Sequence, residues 1–470
     1  MDNMSEEKVL SLYKVYAPSG VSPRICRIPQ AGSNREYFRI YEQTGETLIG
    51  VYGRDIRENR AFIDISREFQ RQGLPSPKIL AVSDDFYCYL QSDLGEKSLF
   101  DILQKERESL SPQTKMLMAE VVRLLPDIQF KVGRSLDFSK CYPKKRFDRQ
   151  SILFDLNYFK YCFLKPTLKD FDEVGLDRDL LRLLRLIHRT YTPEVFTYRD
   201  FQSRNIMIAS GKPYFIDFQG GREGFMHYDL VSLLWQAKAQ LPNSLRQELI
   251  EVYLDSAERY VSDLDRERFK DELQYFVLFR LLQVLGAYGF RGLIEKKRHF
   301  IESIPLALSS LRRVAVLEKF PILSRLINDS ELYHLFFCEK EFERLTVQIE
   351  SFSYKKGVPK DESTNGGGFV FDCRAIHNPG RYEEYKKQTG RDYAVQKFLE
   401  ENSEVKEFLN DVYSLVDRHL DVFHRRDFRH LCVFFGCTGG QHRSVYCAEQ
   451  LAKYLKKYDI DITLKHNELR

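Results

Sequence analysis

Tyr198-Arg199-Asp200-Phe201-Gln202-Ser203-Arg204-Asn205, with Ile216-Asp217-Phe218 after it, is the stretch on which the fold turns. It sets an Asp, an Asn five residues on, and a second Asp twelve residues beyond that. Phosphoryl transfer from a nucleotide uses such a set. One carboxylate takes or orients the proton of the attacking hydroxyl, while an amide oxygen and a second carboxylate hold Mg²⁺ against the phosphates. The spacing predicts how these groups meet. A five-residue loop turns Asp200 and Asn205 into one cleft, and Asn205-Ile206-Met207-Ile208 starts a strand. Gly211-Lys212-Pro213 turns the chain, and Tyr214-Phe215-Ile216 returns to set Asp217 beside Asn205. A polar loop with merely solvated acids is the plain alternative, and the apolar strands on both sides weigh against it.

Upstream, Cys26-Arg27-Ile28, Tyr37-Phe38-Arg39-Ile40-Tyr41 and Thr47-Leu48-Ile49-Gly50-Val51-Tyr52 read as three strands. A helix over 58–72 carries Phe62, Ile65 and Phe69 at core spacing and ends at Pro75-Ser76-Pro77. Strands at 78–82 and 86–91 complete a five-stranded sheet with one helix, a small lobe over about 20–92. Gln91-Ser92-Asp93-Leu94-Gly95 reads as a hinge into a helical lobe over about 97–325. That lobe has helical stretches near 97–132, 177–189 and 243–327 and a basic, aromatic insert at 141–165. The predicted class is an α+β two-lobed protein-kinase-like fold over 1–325, followed by a linker over 326–344 and a separate small α/β domain over 345–470.

Within the first part, the loop Gly32-Ser33-Asn34 lies where backbone N–H groups would cover nucleotide phosphates, although a plain hairpin turn looks much the same. Arg35 and Arg39 either reach those phosphates or solvate the strand edge. Asp229, in His227-Tyr228-Asp229-Leu230, reads as a buried carboxylate bracing the loop around Asp200.

These residues resemble the aminoglycoside and choline phosphotransferase superfamily over residues 10 to 325. Within it, Arg-Asp-x-x-x-Arg-Asn, the Asp-Phe-Gln ending at 217–219 and Tyr37-Phe38-Arg39 are similar to the kinases of the anomeric hydroxyl of N-acetylmuramate and N-acetylglucosamine. The resemblance implies ATP and Mg²⁺ as cofactors, Asp200 as catalytic base, Asn205 and Asp217 as Mg²⁺ ligands, and Gly32, Ser33, Asn34 and Arg39 at the nucleotide. Tyr198, Arg204 and Asp229 would support the loop, Tyr198 standing where that superfamily usually has His. The third strand, 47–52, has no lysine for the nucleotide phosphates, and the nearest cations to it are Arg39 and Arg54. Asp148 and Asn157 of the insert either bind sugar hydroxyls or are helix-surface polar groups.

The second part opens with the strand 345–352, then a loose stretch from 355 to 368 that ends in three glycines and reads as a mobile loop. The strand Phe369-Val370-Phe371-Asp372-Cys373, helices at 393–402 and 404–424, a buried strand at 431–435, a helix over 443–457 and a last strand near 461–465 follow. Between the buried strand and the helix lies Gly436-Cys437-Thr438-Gly439-Gly440-Gln441-His442-Arg443-Ser444. Adjacent glycines let consecutive N–H groups turn inward as an anion nest, and a helix N-terminus adds positive potential. Arg443 and Ser444 add donors. The Cys-x5-Arg-Ser spacing is also that of cysteine phosphatases, with Cys437 as nucleophile. The loop thus holds phosphate or cleaves it.

This part resembles the C-terminal domain of the bacterial RNase adapter family RapZ, which senses glucosamine 6-phosphate and in some bacteria presents a small RNA to an endonuclease. Ile349-Glu350-Ser351-Phe352, Phe371-Asp372-Cys373-Arg374, Asn378-Pro379, Thr389-Gly390, 436–444, Ala448-Glu449-Gln450-Leu451 and His466 carry the likeness. It implies a hexosamine phosphate such as glucosamine 6-phosphate bound by Cys437, Thr438, Gly439, Gly440, His442, Arg443 and Ser444, with Asp372 near the sugar. It also makes a homo-oligomer an expectation. No GxxxxGK[ST] loop of that family occurs, and in place of its basic tail stands Asn467-Glu468-Leu469-Arg470. Lys453, Lys456, Lys457 and Lys465 form a modest patch, a solvated face more often than an RNA site.

Composition agrees with a globular chain. Of 470 residues, 43% are hydrophobic, and 72 Lys and Arg nearly balance 68 Asp and Glu, which argues against a global nucleic-acid or membrane binder. The nine cysteines show no CxxC pair, so neither a disulfide framework nor a zinc site is expected, and the setting reads as reducing and cytoplasmic. The acidic start, Met1-Asp2-Asn3-Met4-Ser5-Glu6-Glu7, has no apolar signal region, and no run of eighteen apolar residues occurs, so no membrane span is expected. The two halves together predict a Mg-ATP-dependent kinase of an amino-sugar hydroxyl joined to a phosphosugar sensor. A regulatory nucleotide- and glucosamine 6-phosphate-binding adapter with an RNA or protein partner, and a phosphatase joined to a kinase, are the other readings.

Overall fold

The structure, a computed structural model, describes residues 2–18, 23–29, 35–42, 44–107, 109–168, 170–337, 345–361, 367–426, 428, 430–458 and 460–469. It divides into two compact units, Met1–Leu335 and Phe336–Arg470. Helices Pro321–Ile327 and Ser330–Phe337 occupy much of the stretch expected as a linker.

The first unit opens on an antiparallel five-stranded sheet with order β1-β2-β3-β5-β4. Its strands are β1 (Arg24–Ile28), β2 (Glu36–Tyr41), β3 (Thr47–Tyr52), β4 (Ile79–Val82) and β5 (Cys88–Ser92). Asp55 caps the helix Ile56–Arg71 by accepting from the Arg57 N–H, one of the donors a helix start leaves open. Phe62, Ile65 and Phe69 are buried, as their spacing predicts.

A further helix, Asp2–Tyr16, covers the other face of the sheet. Its Val9, Leu12 and Tyr13 pack on Phe38, Ile40, Leu48, Tyr52, Cys88 and Leu90. Val9 sits directly over Gly50, where an added Cβ would meet Val9 Cγ1 at 2.2 Å. Gly50→Ala therefore overpacks this contact and lowers unfolding free energy by about 1–3 kcal/mol, to be read by denaturant titration.

The large lobe is built from helices Pro112–Asp127, Arg149–Phe159, Glu173–His188, Met226–Leu234, Asn243–Ala257 and Arg266–Tyr288. Two small antiparallel pairs rest on them: β6 (Glu194–Thr197) with β9 (Arg222–Phe225), and the hairpin β7 (Ile206–Ala209) with β8 (Lys212–Phe215). Against the expectation of no candidate span, the segment Arg266–Ile294 is long and apolar enough to cross a membrane by length and composition. In this fold it is the core helix, with Phe269, Leu273, Phe276, Phe279, Leu282 and Leu285 all buried.

The second unit is a parallel four-stranded sheet with order β11-β12-β10-β13. The strands are β10 (Thr346–Ser353), β11 (Gly368–Asp372), β12 (His430–Cys437) and β13 (Asp461–His466), with helices Tyr393–Asn402, Val405–Arg426 and Arg443–Leu455. Central β12 is buried from Leu431 to Cys437, which explains its unbroken apolar run.

Candidate functional site

In the first unit the hairpin works as its sequence predicts. Ile206 pairs with Phe215, and the Ile216 N–H donates to the Asn205 carbonyl at 3.0 Å, so Asp217 emerges beside Asn205. The Asn205 amide N–H donates to the Asp200 carbonyl at 2.8 Å and lies 3.5 Å from Asp217 Oδ2. With its N–H groups so used, the amide oxygen is the part of Asn205 left for a cation. Asp200, Asp217, Tyr198, Gln219 and Glu58 line one cleft of about 130 Å³.

Arg199 and Asp217 hold left-handed backbones, with φ of 77° and 68°. Such conformations are unfavourable for side chains with a Cβ and persist only where the surroundings fix them. Asp229 supplies the restraint at the first, accepting from the Tyr198 N–H at 2.7 Å and the Arg199 N–H at 2.9 Å. The Tyr198 hydroxyl donates to the Ile216 carbonyl, tying the two halves of the site together. Phe218 stacks on Phe62 and Phe69, at 4.9 and 4.6 Å between ring centres, and so fixes the Asp217 loop to the small-lobe helix.

Burial pushes the Asp229 carboxyl up to about 7, against the lowering effect of those two N–H groups. Below the ordinary aspartate range the group is neutral in folded and unfolded chains alike. Between that range and about 7 the folded chain binds the extra proton, so stability falls as pH rises through this window. Unfolding midpoints measured across pH should show that slope in the wild type and lose it in Asp229→Asn.

Other expectations change. Arg39, expected at the nucleotide, makes its polar contacts at the hinge, donating from Nε to Asp93 at 2.6 Å and bonding Glu96. A buried cation at Asp217 is Arg35, 2% exposed. Its guanidinium lies 3.3 Å from Asp217, 3.5 Å from Glu58 of the helix Ile56–Arg71, and 3.2 Å from the Tyr89 hydroxyl. Burial opposes its charge, and Tyr89, Tyr37, Asp217 and Glu58 outweigh that opposition. The sequence offered Arg35 only as one of two arginines near a turn; its pairing with Glu58 and Asp217 spans separate elements. Gly32, Ser33 and Asn34 lie outside the described residues.

Arg204 is exposed rather than a loop support; Ser203, which donates to Gln236 at 2.6 Å, does that work. Asp148 is used as a helix cap, accepting from the Ser151 N–H at 2.8 Å, so it does not present its carboxylate freely to a sugar. From the same insert Tyr142 reaches the cleft and donates to Asp55 at 2.7 Å. Beneath the loop, Asp155 accepts from Arg199 at 3.2 Å and from Gln283 at 2.7 Å, a support that no local sequence signal marked.

In the second unit the stretch 436–444 joins the end of β12 to the helix Arg443–Leu455 at the carboxyl end of the sheet, where open α/β sheets place ligands. Cys437, 3% exposed, receives the Gly440 N–H at 3.1 Å and lies 3.2 Å from the Ser444 hydroxyl. No side chain caps the helix Arg443–Leu455, so its first N–H groups stay open to an anion. Thr438 and Gly439 form the exposed tip. His442 Nε2 lies 2.9 Å from the Tyr385 carbonyl, and Arg443 donates to the carbonyls of Arg374 and Ile376, both at 2.9 Å. Asp372 pairs with Arg374, which holds its carboxyl below the ordinary range. Behind the loop a hydrogen-bonded chain runs from buried Ser351 through His466 and Glu449 to exposed Arg391.

Comparison with known proteins matches both units. Residues 24–269 fit the phosphotransferase enzyme family, and residues 345–470 fit the RapZ C-terminal domain. A nucleotide-binding protein of Fervidobacterium nodosum is 31% identical over 171 residues, 36% of this chain and 59% of that one. The chain therefore spans less than two thirds of that relative. A nucleotide-binding protein of Tolumonas auensis is 30% identical over 262 residues, 51% of this chain and 86% of that one. Among solved structures, choline kinase of Cryptosporidium parvum superposes with a TM-score of 0.48 at 12% identity, over 69% of this chain and 100% of that one. The chain belongs to the phosphotransferase enzyme family and joins that kinase-like domain to a RapZ C-terminal domain.

Proposed function

We propose that the first unit is a Mg-ATP-dependent kinase of an amino-sugar hydroxyl, of the N-acetylhexosamine and N-acetylmuramate class. The observation that carries this reading is that Asp200 and Asp217 line one cleft, with Asn205 and the buried cation Arg35 both in contact with Asp217. Asp200 takes or orients the proton of the acceptor hydroxyl. Asn205 and Asp217 would hold Mg²⁺, which supplies charge neutralisation at the phosphates. On this proposal Arg35, braced by Glu58, does the work of the missing strand lysine and puts its charge beside Asp217.

The second unit, on the same proposal, holds a hexosamine phosphate such as glucosamine 6-phosphate at 437–444 and adjusts the kinase in response. Holding is preferred to hydrolysis because Arg443 is engaged by two carbonyls and Cys437 is nearly closed off. Glucosamine 6-phosphate that binds while ATP turnover stays unchanged would count against the coupling.

The test is ADP release with Mg-ATP across N-acetylglucosamine, N-acetylmuramate, glucosamine and an aminoglycoside. Turnover should depend on one of the first two sugars. Equal ADP release with and without every acceptor would oppose the reading.

A further inference from the structure

At the other end of the second unit's sheet, far from the phosphate loop, four ligand-type atoms crowd one point. His430 Nε2 lies 3.3 Å from Cys432 Sγ, 3.1 Å from Gln348 Oε1 and 3.9 Å from Asp361 Oδ1. The donor atoms of Asp361, His430 and Cys432 all fall within 4.8 Å of one another. Cys432 is five residues before Cys437 on β12, roughly 16 Å at about 3.3 Å per residue. This cluster is thus separate from the phosphate loop on the same strand.

Hydrogen bonding offers this grouping two donors, one imidazole N–H and the weaker Cys432 S–H. A neutral imidazole offers one N–H, so Nε2 can donate to only one of the sulfur, amide oxygen and carboxylate around it. A shared cation satisfies all of them together. The donor chemistry selects among cations: thiolate, imidazole and carboxylate in one set suit zinc rather than Mg²⁺ or Ca²⁺. At zinc bond lengths of about 2.0–2.1 Å to nitrogen and 2.3 Å to sulfur, tetrahedral geometry separates those two atoms by about 3.5 Å. The 3.3 Å between His430 and Cys432 is close to that spacing.

The surroundings are built to the same end. Gln348 donates its amide N–H to Glu350 at 2.7 Å, which turns its oxygen toward His430. Glu350 in turn accepts from Asn467 at 2.8 Å. Such outer partners orient metal ligands. Asp361 accepts the Gly367 N–H at 2.7 Å, so the described ends of the stretch expected as a mobile loop fold back over the cluster. Gly368 has φ of 154°, and an added Cβ would meet the Cys432 carbonyl at 2.1 Å, so glycine is what lets this segment lie against β12.

We infer that Asp361, His430 and Cys432 bind a zinc ion, with the Gln348 amide oxygen beside its fourth position. His430 and Cys432 are held on one strand, and Asp361 closes the set from the segment before β11. No CxxC spacing announces it because the ligands arrive from separate segments of the chain.

The experiment is cobalt titration of the full chain after chelator dialysis, followed by visible and near-ultraviolet absorption, with zinc added back in competition. We expect one cobalt per chain with a thiolate-to-cobalt charge-transfer band that zinc bleaches. The carboxylate and amide ligands of the first unit cannot give that band. Cys432→Ser should abolish it, and Cys437→Ser should keep it. Asp361→Asn, a milder change should Cys432→Ser fail to fold, should keep the band but weaken affinity by at least about tenfold, the lower end of what even outer-shell changes cost. No thiolate band in the wild type, a band surviving Cys432→Ser, or undiminished affinity in Asp361→Asn would overturn the site.

Discussion

Asp200→Asn should lower kcat for sugar phosphorylation by about 10²–10⁴-fold, the usual worth of a positioned general base, while ATP affinity stays near wild type. Asparagine keeps the size of the side chain and an oxygen to accept the Gln202 N–H, which donates to Asp200 at 3.1 Å. It cannot take the acceptor's proton. The Asn205 bond to this residue uses the backbone carbonyl, so the loop keeps its form in the variant. Steady-state ADP release against both substrates, with the melting temperature as a folding control, checks the prediction. A variant with full kcat would remove Asp200 from the chemistry.

Arg35→Ala should lower kcat/KM for ATP by about 10²-fold, comparable to deleting one preorganised donor from a transition-state site. Arg35→Lys should recover only part of the loss, because a single ammonium cannot meet Tyr89, Glu58 and Asp217 as a planar guanidinium does. Arg39→Ala is the contrasting variant. Its partners, Asp93 and Glu96, lie at the hinge, so KM for ATP should move far less than in Arg35→Ala. If Arg39→Ala carried the larger loss in ATP affinity, Arg35 would be only a structural pin.

The contrast between these arginines shows what was legible in the chain. Local patterns carried well: β3 lies over Thr47–Tyr52 and the helix Tyr393–Asn402 where their periodicities place them. The Asn205–Asp217 hairpin was equally readable, because turn residues and alternating apolar positions fix its register within a dozen residues. What stayed hidden depends on contacts between distant segments. Arg35 meets Asp217 across 182 positions, and Asp155 meets Arg199 across 44. The tie of Arg39 to Asp93 is hidden in the same way, because alternation along β2 gives the strand's faces but not the hinge that follows β5. The helix Asp2–Tyr16 went unassigned for a related reason: its acidic start reads as surface, and its apolar side shows only against the sheet it covers.

The most direct test of the central claim follows the phosphoryl group itself. The full chain is incubated with Mg²⁺, γ-labelled ATP and N-acetylglucosamine or N-acetylmuramate, and the products are separated, with Asp200→Asn alongside. The account predicts label in a sugar phosphate with the wild type and almost none with the variant. Label found only as inorganic phosphate, or ATP bound and left intact with every acceptor, would contradict it.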